Sequence, residues 1–313
     1  MSKASATASA MSHGHTRIPT RGFCIYCRRN DVRLTDEHVV PLALGGQHIL
    51  EGASCDGCAD ITKIFEQDVA RELWGSPRNS YNAPSRRKKE RPSHIILADP
   101  ERPERTVKVP YSEYPAAMVF YKMGKAGLLE GLPEHVDVSS VWKLVAISDQ
   151  EKANVFIAKY GMKVPSRFRH VPKSFARMLA KIGYCHLLTE LEPGTFRPIC
   201  LPYILGTKPN ASFVVGGTLD DAPPDTVGYR LATAAFGSLE RLMLVAEIRL
   251  FSNNQTPTYH VVVGDVSGRE QVLAVLSRIG PFKHIGETSS SAAISKEDHW
   301  SPRVWPLPFW YAD

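Results

Sequence analysis

The chain has no apolar stretch approaching the roughly 18 residues that a transmembrane helix needs, which predicts no membrane span and no membrane partner. Its first 20 residues also lack the apolar run of a secretory signal. We expect a disordered tail over residues 1–21 and, by default, a cytoplasmic protein. An organellar transit peptide is the alternative, because no acidic residue precedes Asp31, although the first 20 residues have only Lys3 and Arg17 as charges.

Internal repeats and a strong charge imbalance are also missing. The 313 residues are 43% apolar, enough for a sizeable core, which excludes a fibrous or wholly disordered chain. Lysine and arginine number 38 against 32 acidic residues, for a net charge of +6. Such a mild excess points only weakly to nucleic acid, because the position of the charges matters more than their sum.

Cysteines are few, and four of the six form two CxxC pairs, Cys24 with Cys27 and Cys55 with Cys58. Each pair places two thiolates one turn apart, and four sulfurs complete the shell of a structural Zn²⁺. The alternatives are four unrelated thiols or a redox CxxC, against which the pairing and Gly57 both argue. We expect the remaining two, Cys185 and Cys200, to be core thiols.

The 27 residues between the pairs exceed the spacing of about 15–20 in a plain zinc ribbon. Their centre, residues 36–46, reads DEHVVPLALGG. A carboxylate beside a histidine supplies an oxygen ligand for a divalent cation and a base that works near neutral pH. Hydrolysis of a phosphodiester bond requires both.

This order of elements resembles the HNH endonuclease family, in the branch whose N-terminal HNH unit is pinned by four cysteines. The resemblance covers residues 22–75 and implies a ββα-metal unit, a hairpin followed by a helix. It implies that His38 deprotonates the attacking water and that Glu37 helps to hold Mg²⁺ or Mn²⁺.

The sequence departs from the family pattern at two places. The family commonly has Asn in the loop after the two glycines and His or Asn directly after the last cysteine, where this chain has Ala59. Asp60 is then the candidate second ligand, with Asp56 or Asp36 nearby, although one step along a helix turns a side chain by about 100°. The alternative is an HNH-fold module that binds nucleic acid without cleaving it.

The run from Ala59 to Gly75 predicts a helix that covers the hairpin. Its expected core positions are Ile61, Ile64, Phe65, Val69 and Leu73. Residues 76–92, with the basic run 86–89, are typical of a linker or an exposed loop.

Residues 93–313 predict a mixed α+β domain, so the whole chain belongs to the α+β class. We expect strands from Val141, Val155, Leu242 and Tyr259, and helices near Tyr114, Pro172 and Glu270. The aromatic and proline-rich residues 300–313 predict an extended strap that packs on this domain, with nucleotide stacking as the alternative.

Between Lys152 and Thr189 there are eight basic residues and no acidic one. Helical spacing puts Lys173, Arg177 and Lys181 on one exposed face, with Arg167 and Arg169 just before it. Such a row predicts contacts with a phosphate backbone. The alternative is a solvated face balanced by acidic residues that lie elsewhere in the sequence.

These patterns together predict a metal-dependent endonuclease that acts on nucleic acid, DNA more than RNA. A third interpretation is a zinc-stabilised interaction protein without nucleic acid, which only the modest net charge supports.

Overall fold

The computed structural model describes residues 16–83, 85, 88–218, 223–224, 228–279 and 294–297. It combines helices and strands in comparable amounts, and a small N-terminal unit precedes a larger α+β region. The predicted α+β class is confirmed. No helix in this described part of the chain is both long and apolar enough to cross a membrane.

The N-terminal unit is a three-stranded sheet followed directly by a helix. Its elements are β1 (Thr16–Pro19), β2 (Leu34–His38), β3 (His48–Cys55) and α1 (Asp56–Asp68). Strand β3 lies in the middle, parallel to β1 and antiparallel to β2. The hairpin and helix agree with the predicted ββα unit. The predicted tail over 1–21 extends too far, because residues 16–19 pair with β3.

Helix α1 buries one side, and a π-helical turn at Val69–Leu73 continues it. Phe65 is buried as predicted, and so are both ends of the π turn. The prediction for Ile64 is wrong, since its side chain is 62% exposed. The buried stripe runs through Thr62 and Phe65, and Ile64 lies about 200° around the helix from Thr62.

The segment predicted as a linker is largely packed. Helix α2 (Gly75–Ser80) follows the π turn, and Pro77, Tyr81 and Ala83 are buried. Two residues of the basic run, Arg86 and Arg87, lie outside the described residues. The first part of the predicted linker, up to Ala83, is therefore packed against the rest of the chain.

The larger region begins with two antiparallel strand pairs and two helices. In chain order they are β4 (His94–Asp99), β5 (Arg102–Pro110), β6 (Met118–Lys122), β7 (Lys143–Ile147), α3 (Gln150–Tyr160) and α4 (Pro172–Glu190). Strand β4 pairs with β5, and β6 pairs with β7.

The rest of the described chain builds the main sheet. Its elements are β8 (Arg197–Pro198), α5 (Leu201–Leu205), β9 (Val215–Gly217), β10 (Tyr229–Gly237), β11 (Arg241–Leu250), β12 (Tyr259–Ser267), α6 (Arg269–Ile279) and β13 (Ile294–Glu297). The strand order is β13-β10-β11-β12-β8, and β9 also pairs with β12.

Most of the predicted elements of this region are confirmed, namely β7, β11, β12, α4 and α6. The strand predicted from Val155 is wrong, because that segment is α3. The Asp149 side chain accepts a hydrogen bond from the Lys152 backbone N–H at its start, and Gly161 ends it with a φ of 61°.

The helix predicted near Tyr114 is also wrong. Tyr114 is buried in a turn, and its hydroxyl donates to the carbonyl of Pro165 at 2.6 Å. Pro115 follows it and disfavours helical backbone at the residue before. The predicted strap of residues 300–313 lies outside the described residues.

Helix α4 is the centre of the fold. A Cβ added at Gly183 would lie 3.0 Å from the Val261 side chain and 3.1 Å from that of Ala246, so this glycine lets α4 approach the main sheet closely. Its other side packs against α1. The larger of two hydrophobic clusters in the described residues accordingly runs from Cys24 to Ile279 and joins the N-terminal unit to the larger region, while a smaller one surrounds Phe156.

Candidate functional site

The four paired cysteines converge on one point of the N-terminal unit. Cys24 and Cys27 lie in the loop before β2, Cys55 ends β3, and Cys58 lies in the first turn of α1. Their Sγ atoms all lie within 4.8 Å of one another, and those of Cys27 and Cys55 are 3.7 Å apart. A tetrahedral zinc with bonds of about 2.3 Å has sulfurs about 3.8 Å apart. The cluster can therefore hold a metal ion, and its sulfur ligands fit zinc.

The first cysteine loop is shaped by its backbone. Arg28 has a φ of 66°, its N–H donates to the Cys24 carbonyl at 2.9 Å, and the Cys24 N–H donates to the carbonyl of Arg29 at 2.8 Å. Burial alone would raise the pKa of Cys24, but backbone N–H groups beside its sulfur, first that of Cys27, lower it to about 7. Burial raises the pKa of the Cys58 thiol. A cation held by the cluster would favour the ionised form of all four thiols.

Strand β2 carries the three residues of the predicted catalytic motif, and they have different environments. Glu37 is only 6% exposed, His38 is half-buried and Asp36 is exposed. In the pairing with β3, His38 lies opposite Ile49, and the register shifts between Thr35 and Glu37. These exposures leave the side chains of His38 and Asp36 in contact with solvent, whereas that of Glu37 is enclosed.

The Glu37 carboxylate is paired with the ammonium group of a lysine on α4. The Lys181 Nζ atom lies 2.6 Å from Glu37 Oε1 and 2.9 Å from Glu66 Oε1, and it also donates to the backbone carbonyl of His38. Lys181 is fully buried. Burial raises the pKa of Glu37, although Lys181 opposes this.

Two further contacts tie α4 to the first cysteine loop. The Tyr184 hydroxyl donates to the carbonyl of Ile25 at 2.7 Å. The Tyr26 hydroxyl lies 3.5 Å from the Sγ atom of Cys185. Cys185 is buried, as predicted, and so is Cys200. One face of α4 thus contacts both the cysteine loop and the hairpin of β2 and β3.

The predicted second metal ligand lies apart from Glu37. The Asp60 side chain is 76% exposed and its carboxylate is 3.9 Å from the Lys63 ammonium. Within the described residues, the four cysteines form the only group of three or more His, Cys, Asp or Glu side chains close enough to share a metal ion. Glu37 and Asp60 therefore do not fit a divalent cation together.

Asp36 is the ionised carboxylate beside His38. Its Oδ1 atom accepts a hydrogen bond from the Gly52 N–H at 3.1 Å, and its Oδ2 atom lies 2.6 Å from the Arg17 guanidinium. The Gly52 N–H first, then Arg17, lower the pKa of Asp36. This carboxylate stays ionised at the surface of the hairpin.

The basic side chains predicted to form an exposed face of α4 are mostly covered by other parts of the chain. Lys181 is fully buried, and Arg177 is half-buried with its guanidinium 2.8 Å from the Ile204 carbonyl and 4.8 Å from the centre of the Phe65 ring. The reason is that α4 lies between the main sheet and α1, so side chains on most of its circumference are covered. Only Lys173, at its N-terminal end, is exposed.

Acidic residues from elsewhere in the sequence neutralise much of the remaining basic segment. Lys159 pairs with Glu113, Lys163 pairs with Glu101, and Arg169 pairs with Glu72, at 2.6, 2.6 and 3.2 Å. The half-buried Lys152 ammonium lies 4.4 Å from the Tyr81 ring centre. The structure favours the alternative of a balanced face for these side chains. Arg167 and Lys173 remain as exposed cations.

Sequence reasoning missed Glu66 and the role of Lys181. One signal was available, because Lys181 stands between Ala180 and Ile182 in an otherwise apolar stretch of the helix. A lysine at such a position is buried only when it is paired. The sequence gives no indication of the partner.

Comparison with known proteins agrees with this geometry. The family model described as HNH endonuclease matches residues 24–72, which span both cysteine pairs, the hairpin and α1. No curated protein and no solved structure matches the chain. The predicted resemblance is confirmed over this part of the chain.

Proposed function

Because residues 24–72 match the family model described as HNH endonuclease, we propose that this chain hydrolyses phosphodiester bonds of nucleic acid, DNA in preference to RNA, with His38 as the general base. The observation that carries the proposal is the position of His38. It ends strand β2, is half-buried rather than enclosed, and lies beside the ionised Asp36. A neutral imidazole there can take a proton from an attacking water near neutral pH.

The cysteine cluster has a structural role in this proposal. Four sulfurs leave no open position on a zinc ion, so the metal stabilises the loop and the start of α1 rather than reacting. Both ends of the hairpin are held in this way, since Cys27 precedes β2 and Cys55 ends β3.

A catalytic Mg²⁺ or Mn²⁺ would neutralise charge on the phosphate. Of the two carboxylates of the motif, Asp36 is exposed, although it is paired with Arg17 at 2.6 Å, whereas Glu37 is buried against Lys181. Mg²⁺ commonly binds through one or two carboxylates together with substrate phosphates and water. A site completed by the nucleic acid is therefore consistent with a single carboxylate.

A second candidate is an HNH-fold module that binds nucleic acid without cleaving it. The specific observation in its favour is that both expected metal positions are lost. Glu37 is paired with Lys181, and Ala59 has no ligand atom.

One experiment separates the two candidates. The zinc-loaded full chain is incubated with plasmid, single-stranded DNA and RNA in Mg²⁺, Mn²⁺ or chelator. The variant His38→Ala is compared with His94→Ala, which changes an exposed histidine on β4. Cleavage that only His38→Ala abolishes supports the endonuclease. Binding without cleavage in every condition supports the module.

A further inference from the structure

We propose that the Lys181 ammonium takes the place of a divalent cation at Glu37, so that the chain supplies an internal cation to its own HNH domain. The inference rests on the proposed function only in assigning this hairpin to the HNH site. It differs from the family expectation, in which this carboxylate binds metal.

The first argument is the match between donors and acceptors. A lysine ammonium has three hydrogens to donate. Three oxygens surround the Lys181 ammonium: it donates to the His38 carbonyl and forms ion pairs with Glu37 Oε1 at 2.6 Å and Glu66 Oε1 at 2.9 Å. These acceptors come from the hairpin and from α1, the two elements between which a ββα-metal unit holds its cation.

The second argument concerns charge. An ammonium group that is fully buried is tolerated only when it is paired and hydrogen-bonded. The fully buried Lys181 ammonium lies between the Glu37 and Glu66 carboxylates, at 2.6 and 2.9 Å. Lys181 thus keeps its positive charge between the two carboxylates.

The third argument concerns space. Mg²⁺ requires near-octahedral coordination and usually retains several waters. Glu37 is 6% exposed and its acceptor oxygen is already 2.6 Å from Lys181. A hydrated cation could reach Glu37 only by displacing Lys181, which would leave an ammonium group unpaired in the core.

This arrangement also accounts for Ala59. If the cation of the hairpin comes from α4, no ligand is needed directly after Cys58, and a small side chain is sufficient there. Helix α4 then becomes part of the site, although it begins at Pro172, 104 positions after α1 ends at Asp68.

The test is Mn²⁺ binding to the zinc-loaded full chain, followed by electron paramagnetic resonance. The comparison is between the unaltered chain and Glu37→Gln, with Asp36→Asn as the matched carboxylate variant. We expect either no bound Mn²⁺ or an affinity that Glu37→Gln leaves unchanged. Weakening by 10-fold or more in Glu37→Gln, about the effect of losing a metal-site contact, would overturn the proposal.

A second measurement covers variants that fold poorly. Urea unfolding of Glu37→Gln, Lys181→Met and the double variant forms a double-mutant cycle, with Lys173→Met as a control on the same helix. We expect the double variant to lose less stability than the two single losses added together. Additive losses would contradict the pairing. If Lys181→Met does not fold alone but folds together with Glu37→Gln, the pairing is likewise supported.

Neither readout depends on cleavage. The proposed function fails if His38→Ala does not change hydrolysis, whereas the internal cation fails if Glu37 binds Mn²⁺. The two results are distinguishable.

Discussion

The Tyr184 hydroxyl on α4 donates a 2.7 Å hydrogen bond to the backbone carbonyl of Ile25, which lies inside the first CxxC pair. Both residues are buried. A helix of the larger region thus supports the loop that presents two of the four sulfurs. The metal cluster and the core of the larger region are therefore coupled through a defined contact.

Removing that hydrogen bond should destabilise the protein. In Tyr184→Phe the Ile25 carbonyl stays buried without its donor, which costs about 1–3 kcal/mol. Urea unfolding followed by circular dichroism measures this loss. Tyr111→Phe, at a half-buried tyrosine outside this contact, is the control and should differ little from the unaltered chain. Equal stability of both variants would show that the contact contributes nothing.

Zinc content gives the next prediction. Elemental analysis should find one zinc per chain, and Cys55→Ser should lose it together with much of the stability, because metal binding and folding of such a cluster are coupled. Cys200→Ser changes a buried thiol outside the cluster and should retain zinc. Zinc that survives in Cys55→Ser would exclude the four-cysteine site.

His260 should make stability depend on pH. Its Nε2 atom accepts a hydrogen bond from the Ala126 N–H at 3.0 Å, and burial first, then Lys125, lower its pKa to about 4. An unfolded histidine has a pKa of about 6.5. Between these values the unfolded chain binds more protons than the folded one, so this contribution to stability is lost as the pH falls from 6.5 towards 4.

The measurement is the free energy of unfolding at several pH values for the unaltered chain and His260→Gln. Only the difference between the two is assigned to this side chain, since other groups titrate over the same range. A difference that does not vary with pH would contradict the assignment.

Nucleic-acid binding should depend on the cations that the structure leaves exposed. The double variant Arg167→Glu, Lys173→Glu should weaken binding to all sequences alike. If both residues contact phosphates, the slope of log affinity against log salt should fall by about 2. Lys159→Glu, whose lysine is already paired with Glu113, is the control. Unchanged affinity at low salt would remove both residues from the interface.

The local parts of the site follow from the sequence, and the long-range contacts do not. Both cysteine pairs and the hairpin are encoded by short spacings within one stretch of chain. The contact between Lys181 and the hairpin joins residues 143 positions apart, so helical periodicity alone placed Lys181 on an exposed face. That prediction failed because the pattern does not reveal that α1 covers α4.

Helix α3 shows a similar limit at the level of secondary structure. The run from Val155 has the β-branched and aromatic composition of a strand, yet Asp149 caps a helix before it and Gly161 ends that helix. The capping residues, which lie outside this run, favour a helix, whereas the composition of the run favours a strand.

The last prediction concerns Ala59. If the lack of a ligand atom at Ala59 alone weakened the metal site, Ala59→Asn should strengthen metal binding and speed cleavage. Since Lys181 occupies Glu37, we expect Ala59→Asn alone to leave both Mn²⁺ affinity and any cleavage rate unchanged. The added amide would have no access to the Glu37 carboxylate, which is paired with Lys181. Only in the double variant Ala59→Asn, Lys181→Met are Glu37 and Glu66 both released from the lysine, and we expect Mn²⁺ binding to appear or strengthen there.

The control for this prediction is Ala59→Ser, which offers a smaller side chain at the same place. Stronger Mn²⁺ binding in Ala59→Asn alone would mean that Glu37 can leave Lys181 for a metal ion, and the internal cation would then be a closed state of an ordinary metal site.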